Sequence, residues 1–255
     1  MLRFCCLGSG SEGNATVVEA GDGRGTTRVL LDNGFNGRQL RLRLARAGLA
    51  IDDLDAVVLT HEHSDHVGGM RALLRQARLP VYCSIGTARA AALIDSFTEV
   101  VAGEVLAVGA LQLMPFAVAH DAAEPLQYVF GDGDRRLGVL TDIGAPGEDA
   151  VNALADVDAL LLECNHDVEM LRASAYPPFL KARILGDRGH LSNAQAASLL
   201  GRLGRRRLRL VAAGHLSRRN NLPRLAQAAL AAVLGCAADD VLVADQDHGL
   251  PWQRC

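Results

Sequence analysis

Three imidazoles and a carboxylate crowd into the stretch Thr60-His61-Glu62-His63-Ser64-Asp65-His66. The whole chain has eight histidines, so three within six positions is more than a polar loop requires. Neutral imidazole and carboxylate together suit zinc, manganese or iron. His61 and His63 are two residues apart and project the same way while the backbone stays extended. Asp65 and His66 follow as the chain turns and can face a second point. One loop can therefore feed two metal ions, provided its structural setting is right.

That setting is written on both sides of the loop. Ala56-Val57-Val58-Leu59 is apolar and β-branched and predicts a buried strand. Gly68-Gly69 follows, and then Met70, Leu73, Leu74 and Ala77 fall at helical spacing. The cluster thus sits where a strand ends and a helix begins. Further strands are expected over 2–7, 16–19, 28–31, 54–60 and 81–84, with helices over 40–47 and 87–96. Segments 99–101, 104–108 and 111–115 read as a meander with glycine turns. Residues 128–130 and 136–140 read as a hairpin around Gly131-Asp132-Gly133, and 159–162 and 208–212 as apolar strands. Two short helical pieces flank Pro177-Pro178. Ser192 with Gln195 forms a capping box that starts another helix. A helix over 222–234 and a last strand over 241–243 complete the order.

Each half runs strands first and then alternates strand and helix. Two mixed β-sheets packed face to face with helices outside, an α+β αββα sandwich, fit that order. The chain shows no linker, repeat or low-complexity segment, and residues 1–255 read as a single domain. The polar candidates all fall at strand exits: 61–66, His120, Asp142, 163–167 and His215. Side chains from many strand ends meeting at one edge would assemble a site.

Met1 to Gly8 has no basic region followed by a long apolar stretch, so no secretory signal is expected. No apolar run approaches the length of a membrane span. Cys5, Cys6, Cys83, Cys164, Cys236 and Cys255 are scattered, without a Cys-x-x-Cys pair. Free thiols in a reducing cytoplasm are the expectation. Net charge is only −3, yet the stretch 181–224 holds eleven Lys and Arg against Asp187 alone, leaving −13 for the remainder. That asymmetry suggests an anionic partner for one face, or a solvated surface.

The loop Gly8-Ser9-Gly10-Ser11-Glu12-Gly13-Asn14 lacks the Lys and Ser/Thr of a P-loop and runs strand to strand. It reads as a tight turn near the site rim rather than a nucleotide cradle. Asp32 is either a turn carboxylate or a group that orients a ligand histidine. His190 precedes a helix N-terminus, where an anion is favoured. A cationic His190 could protonate a leaving oxygen or hold a phosphate, with Glu163 keeping it charged. The plainer alternative is a hydrogen bond at the start of the helix. Asn165 and His166 could equally support the site.

Taken together, these residues resemble the metallo-β-lactamase superfamily of hydrolases over essentially the full length. The motif His-x-His-x-Asp-His is met in full at His61, His63, Asp65 and His66, and His120, Asp142 and His215 match the remaining ligand positions. The resemblance implies two divalent cations, zinc first and manganese as the alternative. His61, His63 and His120 would hold one; Asp65, His66 and His215 the other; Asp142 would bridge. Two such cations lower the pKa of water and clamp the attacking and leaving oxygens of a phosphoryl group. His63 stands where flavodiiron-type members carry Glu, which favours hydrolysis over redox iron. Ribonuclease Z and the carbon–phosphorus-lyase pathway phosphodiesterase have a further His and acidic residue in places similar to His190 and Glu163. Gly8–Asn14, His120-Asp121-Ala122, Leu162–Asp167, Gly189–Asn193 and His215–Asn221 look most like the YycJ/WalJ-like bacterial subfamily, associated with 5′→3′ exonuclease action on DNA. Asn33 departs from that pattern, where a smaller or sulfur-containing residue is expected.

The expected function is therefore a dinuclear metal-dependent phosphodiesterase on nucleic acid, DNA before RNA. Hydroxide between the metals attacks phosphorus; His190, Asp65 and Glu163 are the catalytic candidates; Ser217, Arg218 and Asn221 are the substrate candidates. A small-substrate hydrolase (cyclic phosphodiesterase, thioesterase or lactonase) is the competing reading, and a closed, non-basic site mouth would favour it. A binding protein with a degenerate site is disfavoured by the full ligand set. Monomer and homodimer are both open.

Overall fold

A computed structural model describes residues 1–21, 23, 25–93, 97–204 and 206–255. The expected turn at 21–23, the end of the expected helix over 87–96 and the first arginine of 205–207 fall partly outside these residues. The first strands are β1 (Leu2–Gly8), β2 (Ala15–Gly21), β3 (Thr26–Leu31), β4 (Ala56–Val58), β5 (Val81–Cys83) and β6 (Thr98–Glu99). They lie in one sheet in that order, with β14 (Leu250–Arg254) outside β1. The second sheet runs β7 (Leu106–Val108), β8 (Leu111–Ala117), β9 (Leu126–Gly131), β10 (Arg136–Leu140), β11 (Ala159–Glu163), β12 (Leu210–Gly214) and β13 (Leu242–Val243). In each sheet an antiparallel portion gives way to a parallel one, β3 to β6 and β10 to β13. The parallel strands end at the same edge of the molecule, and crevices outside carboxyl ends are where such sheets bind ligands.

Three apolar layers follow from the alternation of side chains across each strand. Phe4, Val18, Val29, Val58, Tyr128, Phe130 and Leu161 fill the space between the sheets. Leu30, Val57 and Leu59 face outward against Leu40 and Leu44 of α1 (Gly37–Arg46) and Met70 and Leu73 of α3 (Met70–Leu74). Leu140, Leu160 and Leu162 meet α5 (Glu148–Leu154), α8 (Asn193–Arg202) and α9 (Pro223–Leu234) through Leu154, Leu199, Leu200 and Leu230. Each such leucine contributes about 1.5–3 kcal/mol of transfer free energy. Central strands buried on both faces read as near-continuous apolar runs, such as Ala-Leu-Leu-Leu in β11. The layering is the expected αββα sandwich.

Some elements differ from expectation. The meander over 99–115 is split: β6 joins the first sheet beside β5, while β7 and β8 open the second. Val100 and Val108 are both buried in the layer between the sheets, so their polarity pattern does not tell the two sheets apart. β4 is shorter than 54–60, because the Thr60 amide is taken by the Asp32 carboxylate rather than by a strand. The helix expected over 87–96 is the short α4 (Ile85–Ala90), capped by Ser84. α5 and β14 are additional. β14 carries Pro251 at a sheet edge, where a missing N–H is tolerated, and its Trp252 lies under the Arg3 guanidinium. Of the helices at the site edge, α2 (Ser64–Val67) is a single turn, and α6 (Val168–Ala173) and α7 (Pro178–Leu185) flank the proline pair as expected.

Candidate active site

The strand exits of both sheets bring His61, His63, Asp65, His66, His120, Asp142 and His215 into one cluster. Potential ligand atoms fall into groups lying within 4.8 Å of one another: His61, His63 and His120; Asp65, His66 and His215; and His61, His66 and Asp142. Asp32, Asp142 and His215 each follow a strand and adopt the left-handed backbone region, with φ of 60°, 57° and 52°. Such conformations cost free energy in non-glycine residues and persist where the surroundings enforce them. Here they turn each side chain from its strand into the cluster.

Four of the imidazoles, those of His61, His63, His66 and His120, are oriented by what the outer nitrogen donates to. Asp32 Oδ1 accepts the Thr60 amide at 2.8 Å, and Oδ2 accepts both Thr60 Oγ1 and His66 Nδ1 at 2.8 Å. With its proton committed to Asp32, Thr60 Oγ1 accepts from His61 Nδ1 at 3.0 Å. His120 Nδ1 donates to the Gly189 carbonyl at 3.0 Å, and His63 Nε2 to the Asp121 carbonyl at 3.2 Å. These bonds leave His61 Nε2, His66 Nε2, His120 Nε2 and His63 Nδ1 facing inward. Ring orientation by an outer hydrogen bond is the usual support of a metal-ligating histidine. Asp32 is therefore the orienting carboxylate of the two sequence alternatives.

The inward atoms approach one another without adequate hydrogen bonds. His66 Nε2 is 3.1 Å from Asp142 Oδ2, His215 Nε2 is 3.3 Å from Asp142 Oδ1, and His120 Nε2 is 3.3 Å from His63 Nδ1. His61 Nε2, Asp142 Oδ2 and His215 Nε2 are buried and have no hydrogen-bond partner. Orphaned buried acceptors are costly, and a cation satisfies several at once. The donor set thus fits a divalent metal site. Burial and the neighbouring His66 charge push His61 well down, and burial pushes His120 down, so both favour the neutral form that ligates. Burial alone would raise Asp142, but the His215 and His66 charges hold it well below the ordinary carboxylate range.

The glycine loop braces this centre. Ser9 Oγ accepts the His215 amide at 2.8 Å, and Asn14 Nδ2 lies 3.0 Å from His66 Nε2 and 3.3 Å from Asp65 Oδ2. Gly34 packs so tightly on the Asp65 carbonyl that a Cβ there would overlap it. Neither Asn14 nor Thr60 had a signal in the sequence beyond proximity to the two motifs.

His190 stands at the cavity wall with its Nδ1 2.7 Å from Glu163 Oε1. Glu163 is fully buried, and its Oε2 also accepts the Ile143 and Leu191 amides. Burial disfavours charge on His190, but the Glu163 charge and hydrogen bond outweigh it and raise the imidazole to about 9. Asn165 braces His215, its Nδ2 lying 3.2 Å from the His215 carbonyl and 3.3 Å from Nδ1. His166 is fully buried and pushed down to about 4 by burial, and it does not line the cavity.

Residues 27–211 match the family model described as the beta-lactamase superfamily domain. The chain is 35% identical to an exodeoxyribonuclease, YycJ, from Bacillus anthracis over 91% of its own length and 89% of the relative. The chain belongs to the metallo-β-lactamase superfamily. Within it, the chain is also 34% identical to the exodeoxyribonuclease WalJ of Streptococcus pneumoniae, over 88% of its own length and 85% of the relative. Among solved structures, the metallo-β-lactamase fold protein YhfI of Bacillus subtilis superposes with a TM-score of 0.76 over 99% of this chain and 98% of that one, at 16% identity. Human short-form tRNase Z superposes with a TM-score of 0.59 over 85% of this chain and 93% of that one, at 19% identity. These two likenesses concern the fold.

A metallo-β-lactamase-fold hydrolase needs an open side for substrate, and this one has a cavity of about 350 Å³ over the cluster. His63, Asp65, Asp142, His190 and His215 line it, together with Tyr176, Leu180, Arg183 and Ile184. The basic stretch 181–224 does not make a single face. Arg207 pairs with Asp158, which precedes β11 at the far end of the sheet, and Arg202 pairs with Glu148. Arg183 alone of the described basic residues in that stretch lines the cavity. Of the substrate candidates, Ser217 lines the cavity. Arg218 is paired with Asp247 at 2.5 Å and lies outside it. Asn221 is buried and spent on Asn193 and the Cys164 carbonyl, strapping the loops after β11 and β12 to the start of α8. Among the described residues, no helix is long and apolar enough to cross a membrane.

Proposed function

We propose that the protein is a dinuclear metal-dependent phosphodiesterase that degrades DNA from its ends, with 5′→3′ polarity as the subfamily resemblance implies. What carries this reading is the convergence of seven ligand residues beside the His190–Glu163 pair, in a chain 35% identical to an exodeoxyribonuclease. His61, His63 and His120 would hold one cation, Asp65, His66 and His215 a second, and Asp142 both. Zinc suits this nitrogen-rich set, with manganese as the alternative. When bound, the cations would supply an activated water and neutralise charge on the phosphoryl group.

The remaining chemistry belongs to the chain's own side chains. Glu163 holds Nδ1 of His190, which leaves Nε2 free to face a bound phosphodiester. A protonated His190 can donate that proton to the leaving oxygen as the ester bond breaks. Asp65 also lines the cavity and, besides ligating, limits where the attacking water can lie. Ser217 is placed to touch substrate at the rim. A cavity of about 350 Å³ accommodates roughly one nucleotide, which supports removal from an end. Residues 1–255 act as one domain, in the cytoplasm.

The test combines metal content with a time course on 5′-phosphorylated single- and double-stranded DNA. The expected result is about two equivalents of metal and progressive release of nucleotides, lost in Asp142→Asn. Metal-loaded protein that leaves all DNA intact, or Asp142→Asn with full turnover, would overturn the proposal.

A further inference from the structure

We infer that the segment from Tyr176 through α7 is a nucleobase platform, on which Tyr176 and Phe179 stack the bases of a single strand while its end lies over the metal cluster. This rests on the nuclease reading above. α7 has no buried residue, so it adds little to the core and is retained for its surface. Leu180, Arg183 and Ile184, at helical spacing on α7, line the cavity together with Tyr176, which stands two residues before the helix. Phe179 sits on the same turn as Leu180 and is 75% exposed. It is the only aromatic residue classed as exposed among the described residues, in a chain with ten aromatics.

A single exposed phenylalanine is ordinarily unremarkable. This one has Arg183 four residues after it, a neighbour on the same face of α7, and Tyr176 three residues before it in the segment that leads into the helix, and both of these line the cavity. Aromatic faces beside a guanidinium are what a sequence-tolerant single-strand channel uses: the rings take bases, the cation takes the backbone. The platform is fixed in register with the centre. Arg183 Nε donates to Asp121 Oδ2 at 2.5 Å, immediately after His120, and the His190 amide donates to the Ile184 carbonyl at 3.0 Å. Arg188 Nε donates to the His120 carbonyl at 3.1 Å. Among the described residues the terminal nitrogens of Arg183 make no hydrogen bond, which leaves them for a phosphate. A substrate the size of one nucleotide fills the cavity, so Phe179, outside it, meets the next base along.

The experiment measures KM for the metal-loaded wild type, Phe179→Ala, Phe179→Trp and Tyr176→Ala on 5′-phosphorylated single-stranded DNA. The same strand with abasic residues at its first positions is run alongside. Phe179→Ala and Tyr176→Ala are expected to raise KM roughly five- to a hundredfold on the base-bearing strand. Phe179→Trp restores it, and on the abasic strand the wild type rises to the level of Phe179→Ala. Wild-type KM in both alanine variants, with DNA still degraded, overturns the platform and leaves the nuclease reading standing. An equal loss on both strands overturns stacking as the cause. If the wild type cleaves no DNA, the nuclease reading fails and the platform with it.

Discussion

The first sheet delivers four of the seven proposed ligands from one turn between β4 and α2, whereas the second delivers His120, Asp142 and His215 from three separate strand exits. The two contributions are built by different physics. The turn at 61–66 is short-range: strand, bend and single helical turn place the side chains, and Asp32 and Thr60 fix their rings. On the second sheet the positions depend on strand register. Leu140 pairs with Leu162, and Glu163 with Gly214, so Asp142, Glu163 and His215 lie side by side only because β10, β11 and β12 are parallel and in step. A compact motif announces a site, while a register-dependent set decides its shape.

The sharpest way to break this comparison is Asp142→Asn, because Asp142 touches histidines from both sheets. We expect turnover at background and reduced metal content by elemental analysis, more than for any single change in the turn such as His63→Ala. Next comes His190→Ala, which removes a proton donor and not a ligand. Turnover should fall by about a hundred- to ten-thousandfold with both metals retained. Loss of metal instead would place His190 among the ligands. Asp32→Asn acts through His66 and Thr60 alone. Metal affinity, read by competition with a chelator, should weaken by about ten- to a hundredfold. Unchanged affinity would mean that the turn holds its rings without Asp32.

The smallest expected effect on activity lies at the opposite end of the second sheet. Burial raises the Asp158 carboxyl, but hydrogen bonds from Arg135 and Arg207 outweigh it and hold it below the ordinary range. A carboxyl depressed on folding adds stability above its unfolded pKa of about 3.9, and that stability is lost as pH falls through the folded value. Asp158→Asn should cost about 1–3 kcal/mol near neutrality, since its arginine partners are partly exposed and water can solvate them. Denaturant titrations of variant and wild type should converge toward acid, with metal content unchanged. A loss of metal would show that register strain crosses the sheet.

Most of the fold was legible because apolar alternation and glycine turns repeat at each strand, and each strand's polarity reports its own burial. What was not legible is instructive. Segment 99–115 reads as one meander, yet the chain leaves the first sheet after Glu99 and enters the second at Leu106. β14 carries no alternation and is set by pairing with β1 across almost the whole chain. The basic bias of 181–224 is a composition, and the fold disperses it among ion pairs with Glu148, Asp158 and Asp247. Asn221, a candidate for substrate contact, is spent on a buried strap.

The sequence by itself determined the superfamily, the sandwich and the candidate ligand residues, because metal ligation demands particular side chains at particular strand exits. Only the tertiary structure decided the rest. It turned Asp32 from a turn carboxylate into the orienting group of His66, chose which nitrogen of each ring faces inward, and set His190 on Glu163. It also brought Tyr176 to the cavity and left Phe179 of α7 exposed. Except at His61, whose partner Thr60 is its chain neighbour, those outcomes depend on contacts between residues tens of positions apart, and spacing along a chain does not encode which of two ring nitrogens a distant partner will claim.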